Sequence, residues 1–178
     1  VRDMAQLLRV SISKNSTLRL NLKDDLPTTL ADSTQVRQVV MNLITNAAES
    51  HEDLPGTIDI CTGVATLNAA ELQNFGQLSP AAWSEELKPG RFVYLGIQDN
   101  GCGMDQQTLD RLFDPFFSTK FTGRGLGMSA VLGIVRGHHG LIRVTSEPGK
   151  GSRFQIFLPA SDTPKRSSAV EASAAMQP

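Results

Sequence analysis

The stretch Val36 to Ser50 reads VRQVVMNLITNAAES. Val39, Val40, Leu43 and Ile44 recur in it at helical spacing, so one face is apolar and has to be buried against another layer. Asn42, Asn46 and Glu49, four and three residues apart, share a polar face. Ahead of them Asp32 stands as an N-cap with Gln35 three residues on, the pattern of a capping box. A long amphipathic helix is therefore predicted here, and the rest of the chain must supply the surface it covers.

Upstream, Thr17 to Leu22 alternates Leu18, Leu20 and Leu22 with polar neighbours, the period of a half-buried strand, before Asp24, Asp25 and Pro27 end it. Downstream of Pro55-Gly56, Thr57 to Val64 reads as a strand, and so does Arg91 to Gln98, rich in β-forming residues. Between them 65–90, with Gly76, Pro80, Pro89 and Gly90, is expected to be an irregular insert, a decoration on the domain. A short helix is expected at Gln106 to Leu112 and a longer one at Gly127 to Gly137. A hairpin-like pair of strands should follow at Leu141 to Thr145 and Arg153 to Leu158, around Pro148-Gly149. Met4, Leu7, Leu8 and Ile12 in Val1 to Ser13 suit the end of a helix that starts upstream. The Ala/Ser-rich segment 160–178 reads as a disordered tail or linker. This order lacks the strict strand–helix alternation of a doubly wound parallel sheet. It predicts an α+β domain, a two-layer sandwich with one mixed, mostly antiparallel sheet covered by about three helices.

Length and charge narrow the function. A chain of 178 residues, 40% of them hydrophobic, supports one globular domain and so one principal site. With 17 basic against 18 acidic residues the formal charge is -1, which argues against nucleic acid or an acidic membrane as partner and requires any phosphate binding to be local. Cys61 and Cys102 form neither a disulfide framework nor a metal-type spacing and are expected as free thiols. No apolar run approaches a membrane span and Val1 to Arg9 lacks a signal-peptide core, so cytoplasmic placement is expected, even where a parent protein is membrane-anchored.

Four clusters carry chemistry. On the long helix, the amide oxygens of Asn42 and Asn46 are neutral oxygen ligands suited to a Mg²⁺ held mainly by phosphates, although the same face also reads as polar helix surface. Asp99-Asn100-Gly101-Cys102-Gly103-Met104 follows a strand directly. Its carboxylate can accept from an exocyclic amine and its glycines allow close approach of backbone to a flat ligand, while an ordinary Asp-Asn-Gly turn would look alike. Leu112-Phe113-Asp114-Pro115-Phe116-Phe117-Ser118-Thr119-Lys120 flows into Gly123-Arg124-Gly125-Leu126-Gly127-Met128, where glycines leading into a helix offer free backbone N–H groups to phosphate and Lys120 adds a charge. It is neither a P-loop nor a dinucleotide fingerprint. The aromatic trio also suits a core, and for Phe116 both readings stay open. Finally Gly149-Lys150-Gly151-Ser152-Arg153-Phe154 reads as a turn entering the last strand.

In this order the four clusters resemble the N box, first glycine box, F box with second glycine box, and third glycine box of Bergerat-fold ATPases, and specifically of sensor histidine kinases. The resemblance covers Gln35 to Pro159. It implies the Bergerat fold, ATP and Mg²⁺ as ligands, and transfer of the γ-phosphate to a histidine on a separate dimerisation segment, then to the receiver domain of a response regulator. It implies Asn46 as the Mg²⁺ ligand, Asn42 beside the phosphates, and Asp99 reading adenine. Gly101 and Gly103 would shape the base pocket, with Ser152 near an adenine-bound water. Phe113 and Phe117 would anchor an ATP lid spanning Ser118 to Arg124, with Gly125, Leu126 and Gly127 presenting N–H groups to the phosphates and Lys120 reaching the terminal one. Asn42 and Lys120 are the residues expected to act catalytically.

Many relatives have Lys where this chain has Glu49, so the charge is expected from the lid. The short lid resembles the nitrogen-regulatory and oxygen-sensing subgroup. On this reading 1–16 is a connector from a dimerisation hairpin and 17–159 the catalytic domain. His51 follows the N box instead of preceding it, and His138 and His139 stand at a helix C-terminus, so none is expected to be the phosphoacceptor. Two other readings remain: a nucleotide-sensing module without phosphotransfer, and an ATP-hydrolysing clamp, which in that fold carries a glutamate where Asn42 stands.

Overall fold

The alternating leucines of the first strand lie on one face of a five-stranded sheet. In the computed structural model, which describes residues 1, 4, 16–52, 54–78, 87–120 and 125–161, the elements follow in the order β1 (Ser16–Leu22), α1 (Ser33–Glu49), β2 (Gly56–Leu67), α2 (Ala69–Leu78), β3 (Gly90–Asp99), α3 (Gln106–Arg111), α4 (Gly127–Gly137), β4 (Leu141–Glu147) and β5 (Gly151–Pro159). The strands lie in the order β1-β2-β3-β5-β4. β1 and β2 are parallel, with Ser16 opposite Gly56, and every other pairing is antiparallel. The mixed, mostly antiparallel sheet matches the expectation from the sequence.

Alternation gives the sheet two unlike faces. Ile58 and Ile60 of β2, Ile97 of β3, Phe154 and Ile156 of β5 and Ile142 of β4 form a main core with Val39, Val40, Leu43, Ile44 and Ala47 of α1 and Val131, Leu132 and Val135 of α4. These two helices are the covering layer. The opposite face carries a smaller core of Leu67, Leu72, Phe92, Leu141 and Phe157, which α2 covers.

That helix corrects the expectation of an irregular 65–90 insert. β2 runs on to Leu67, and α2 then starts on a reciprocal capping box, in which Asn68 N donates to Glu71 Oε2 at 2.7 Å and Glu71 N to Asn68 Oδ1 at 2.9 Å. Burial of Leu72 against Phe92 and Phe157 holds it. Residues 79–86 of the insert lie outside the described residues, as do most of 1–15, 121–124 of the expected lid and 162–178.

Asp32 caps α1 as expected, accepting the N–H groups of Thr34 (2.7 Å) and Gln35 (3.0 Å). These donors hold its carboxyl below the ordinary value of 3.8. The other half of the box comes from afar. His138, at the end of α4, accepts the Asp32 N–H on Nε2 at 2.9 Å while Nδ1 meets the Ile134 carbonyl at 2.8 Å, so the proton sits on Nδ1. The N-terminus of α1 is thereby tied to the C-terminus of α4, which leaves the other ends of both helices to form the site.

Candidate functional site

β3 ends on Asp99, 4% exposed, and the backbone loop after it folds back over its carboxylate. Oδ1 accepts from Gly101 N (2.9 Å), Ser50 Oγ (3.0 Å) and Ser152 N (3.2 Å). Oδ2 has no hydrogen-bond partner among the described residues. One oxygen is thus consumed in fixing the side chain and the other stays available as an acceptor.

The glycines here permit close approach, but to the protein's own chain. A Cβ on Gly101 would come within 2.0 Å of Ser50 Oγ, and one on Gly103, at φ 67°, within 2.0 Å of the Glu147 carbonyl oxygen. A Cβ on Gly151, at φ 84°, would meet the Asp99 carbonyl at 2.2 Å. Cys102 N donates to Ser50 O (3.0 Å) and Gly149 N to Cys102 O (2.7 Å), lashing the loop between the end of α1 and the β4–β5 turn. Ser152 is buried, its hydroxyl 3.0 Å from that of Ser146. This end of the site is complete within the folded chain.

The other end is open. Leu126, 45% exposed, occupies the N-cap of α4, and no side chain among the described residues caps the helix. The N–H groups of its first turn therefore have no intrahelical acceptor and carry the positive end of the dipole. Gly125 (φ 64°) packs where a Cβ would lie 2.4 Å from the Phe116 carbonyl carbon, and its own carbonyl accepts Phe116 N at 2.9 Å. Phe113 leans on the main core, and Phe117 lies under the Arg111 guanidinium at 4.4 Å. Phe116 does neither: it is 77% exposed at φ 66°.

α1 joins the two ends. Asn42 donates from Nδ2 to the carbonyl of Gly127 at 3.1 Å. Glu49 Oε2 pairs with Lys120 Nζ at 2.5 Å, and Ser50 reaches Asp99. Asn46, half-buried between them, has no side-chain hydrogen bond to a described residue. Asn42, Asn46, Glu49 and Ser50 are thus strung along one side of the helix, roughly 12 Å from Asn42 to Ser50 at about 1.5 Å per residue. Phe113, on the core, and Phe117, under Arg111, are not part of this row. The sequence reading missed Ser50, Ser146 and the partnership of Glu49 with Lys120. For Ser50 a signal existed, since it continues the Asn42, Asn46 spacing of four.

The site is thus a fixed carboxylate at a strand end and a glycine-led helix, joined by an amide-bearing helix on a mixed sheet. Residues 31–162 match the family model described as histidine kinase-, DNA gyrase B- and HSP90-like ATPase, and the chain belongs to that family. It is 34% identical over 160 residues to the sensor kinase CckA of Brucella abortus, a match covering 88% of this chain and 16% of that protein. It is 33% identical over 157 residues to the sensory histidine kinase/phosphatase NtrB of Rhizobium leguminosarum bv. phaseoli, covering 88% and 38%. The chain therefore spans well under half the length of either relative. Its fold is similar to that of full-length ShkA in complex with AMPPNP, with a TM-score of 0.68 at 23% identity over 91% of this chain and 29% of that one. No helix among the described residues is long and apolar enough to cross a membrane.

Proposed function

We propose that this chain is the ATP-binding catalytic domain of a sensor histidine kinase, working in the cytoplasm. It would deliver the γ-phosphate of ATP to a histidine on a separate dimerisation segment, for onward transfer to a response-regulator receiver domain. The relatives' names support this reading, and one observation carries it. The polar group at the junction of α1 and α4 is an amide, Asn42, with its nitrogen already committed to Gly127 O. An amide cannot take a proton from water, so it favours transfer to a nucleophile brought from outside over hydrolysis.

The open donors and acceptors fit the ligands. Oδ2 of Asp99 is an acceptor suited to the exocyclic amine of adenine, held in place by the three donors on Oδ1. The uncapped first turn of α4, with Gly125, Leu126 and Gly127, suits phosphate oxygens. Asn46 offers an uncommitted amide oxygen to Mg²⁺. Mg²⁺ would neutralise charge on the phosphates. Lys120, on an exposed loop beside α1, would place a cation at the terminal phosphate. Two of the chain's three histidines, His51 and His138, are engaged elsewhere. His51 is buried, with Nδ1 3.1 Å from Ser16 Oγ and Nε2 enclosed without a partner among the described residues, and its ring lies against Gly56. His138 spans α1 and α4.

Incubation with γ-labelled ATP, alone and with a dimerisation hairpin carrying the acceptor histidine, tests this. Acid-labile label is expected on the hairpin only. Label on the chain itself that disappears with His51→Ala would overturn the reading, as would rapid ATP turnover abolished by removing a nearby carboxylate, which would favour the hydrolysing clamp. An unlabelled hairpin with ATP bound would favour a nucleotide-sensing module.

A further inference from the structure

Glu49 is the last residue of α1, where the negative end of the helix dipole disfavours a carboxylate, and the last turn of the helix holds no basic residue. A Glu there gains nothing from its own helix. Its partner is Lys120, 71 positions away in sequence, with Nζ 2.5 Å from Oε2. The Lys120 backbone is set by Ser118, whose hydroxyl accepts Lys120 N at 3.1 Å and lies 3.2 Å from Lys120 O. Glu49 also follows Asn46 by three positions on the same helix face, so the ammonium is held one turn beyond the amide proposed to bind the metal. Both side chains are partly exposed, 38% for Lys120 and 50% for Glu49. Such a pair contributes little stability and exchanges partners readily.

We infer that Glu49 is a positioning residue: it stations the Lys120 ammonium one turn from Asn46, the amide proposed to hold the metal, before nucleotide arrives and so favours nucleotides that carry a terminal phosphate. This rests on the proposal that Lys120 meets that phosphate. The carboxylate need not touch the ligand. It narrows the volume a long, flexible side chain would otherwise explore, which lowers the ordering penalty on binding.

The test is calorimetric titration of this chain with Mg-ATP and, separately, Mg-ADP, for the parent, Glu49→Gln, Lys120→Ala and the double variant. Lys120→Ala is expected to weaken ATP roughly tenfold, as for loss of a charge-assisted contact, with ADP nearly unchanged. Glu49→Gln should weaken ATP roughly two- to fivefold, the range of an exposed ion pair, again sparing ADP. In the double variant ATP affinity should equal that of Lys120→Ala, because Glu49 acts only through the lysine. Equal ATP affinity in Lys120→Ala and parent would remove Lys120 from the phosphates. An effect of Lys120→Ala with none of Glu49→Gln would leave that contact standing and overturn the role of Glu49. Additive losses in the double variant would also overturn it.

Discussion

The two ends of the site are built on different principles. Around Asp99 the chain closes on itself: three donors on one carboxylate oxygen, and glycines at 101, 103 and 151 where a methyl group would strike backbone or side chain at 2.0 to 2.2 Å. Around Gly125 little is committed: among the described residues no side chain caps the helix, and a phenylalanine is turned to solvent. An acceptor that must be aimed is assembled by folding. On the proposed function, donors that would meet a mobile, charged chain of phosphates are left to be organised by it, and the order that folding omits would come from binding.

Substitution should separate the two ends. Gly151→Ala forces a Cβ against the Asp99 carbonyl at a positive φ and is expected to destabilise the fold by about 3 kcal/mol, with a matching fall in Tm. Gly149→Ala, also at positive φ (76°) but with open space around it, should cost only about 1 kcal/mol. Similar melting temperatures for the two would mean that the base end is not held by backbone contact. Asp99→Asn can keep the three donors on its oxygen while turning an NH₂ toward the ligand. ATP affinity should fall by about 1–3 kcal/mol with a smaller change in Tm, and unchanged affinity would dismiss Oδ2 as the adenine acceptor.

At the open end, Phe116→Gly removes an exposed ring and relieves a left-handed backbone. Stability should stay level or rise by up to about 1 kcal/mol, and a clear drop in Tm would show that the ring packs in solution. The smallest effect belongs to Asp32, far from both ends. Its carboxyl titrates lower in the folded chain than in the unfolded one, so its contribution is complete above the ordinary value of 3.8 and fades as pH falls through the depressed value. The Tm gap between parent and Asp32→Ala should be constant near neutrality and shrink only in that acid window. A gap that widened in acid would reverse the assignment.

Two helices carry their signals locally. Gly127 and Gly137 bound α4 as expected, because glycine-led entry and the apolar spacing of Val131 and Val135 are written within one segment. Asp32 announced α1 for the same reason. In 65–90 the glycines and prolines point to an irregular loop while Asn68 and Glu71, a capping pair legible in the sequence, start a helix. The residues proposed for the site were visible as motifs, yet their partners were not. His138 reaching Asp32 across 106 positions, or Lys120 reaching Glu49 across 71, depends on how helices pack, and no local period encodes it. Phe116 stood open between core and surface, since an aromatic trio does not reveal which ring the backbone turns outward.

The parallel pairing of β1 with β2 sets where force enters the molecule. Ser16, the first residue of β1, lies opposite Gly56 and is hydrogen-bonded to His51, whose neighbour Ser50 holds the Asp99 carboxylate. A pull or twist on the chain ahead of Ser16 acts on the rim of the sheet beside Asp99. From there it has a lever arm of two adjacent side chains to the most rigid part of the site and must cross the length of α1 to reach the most pliant.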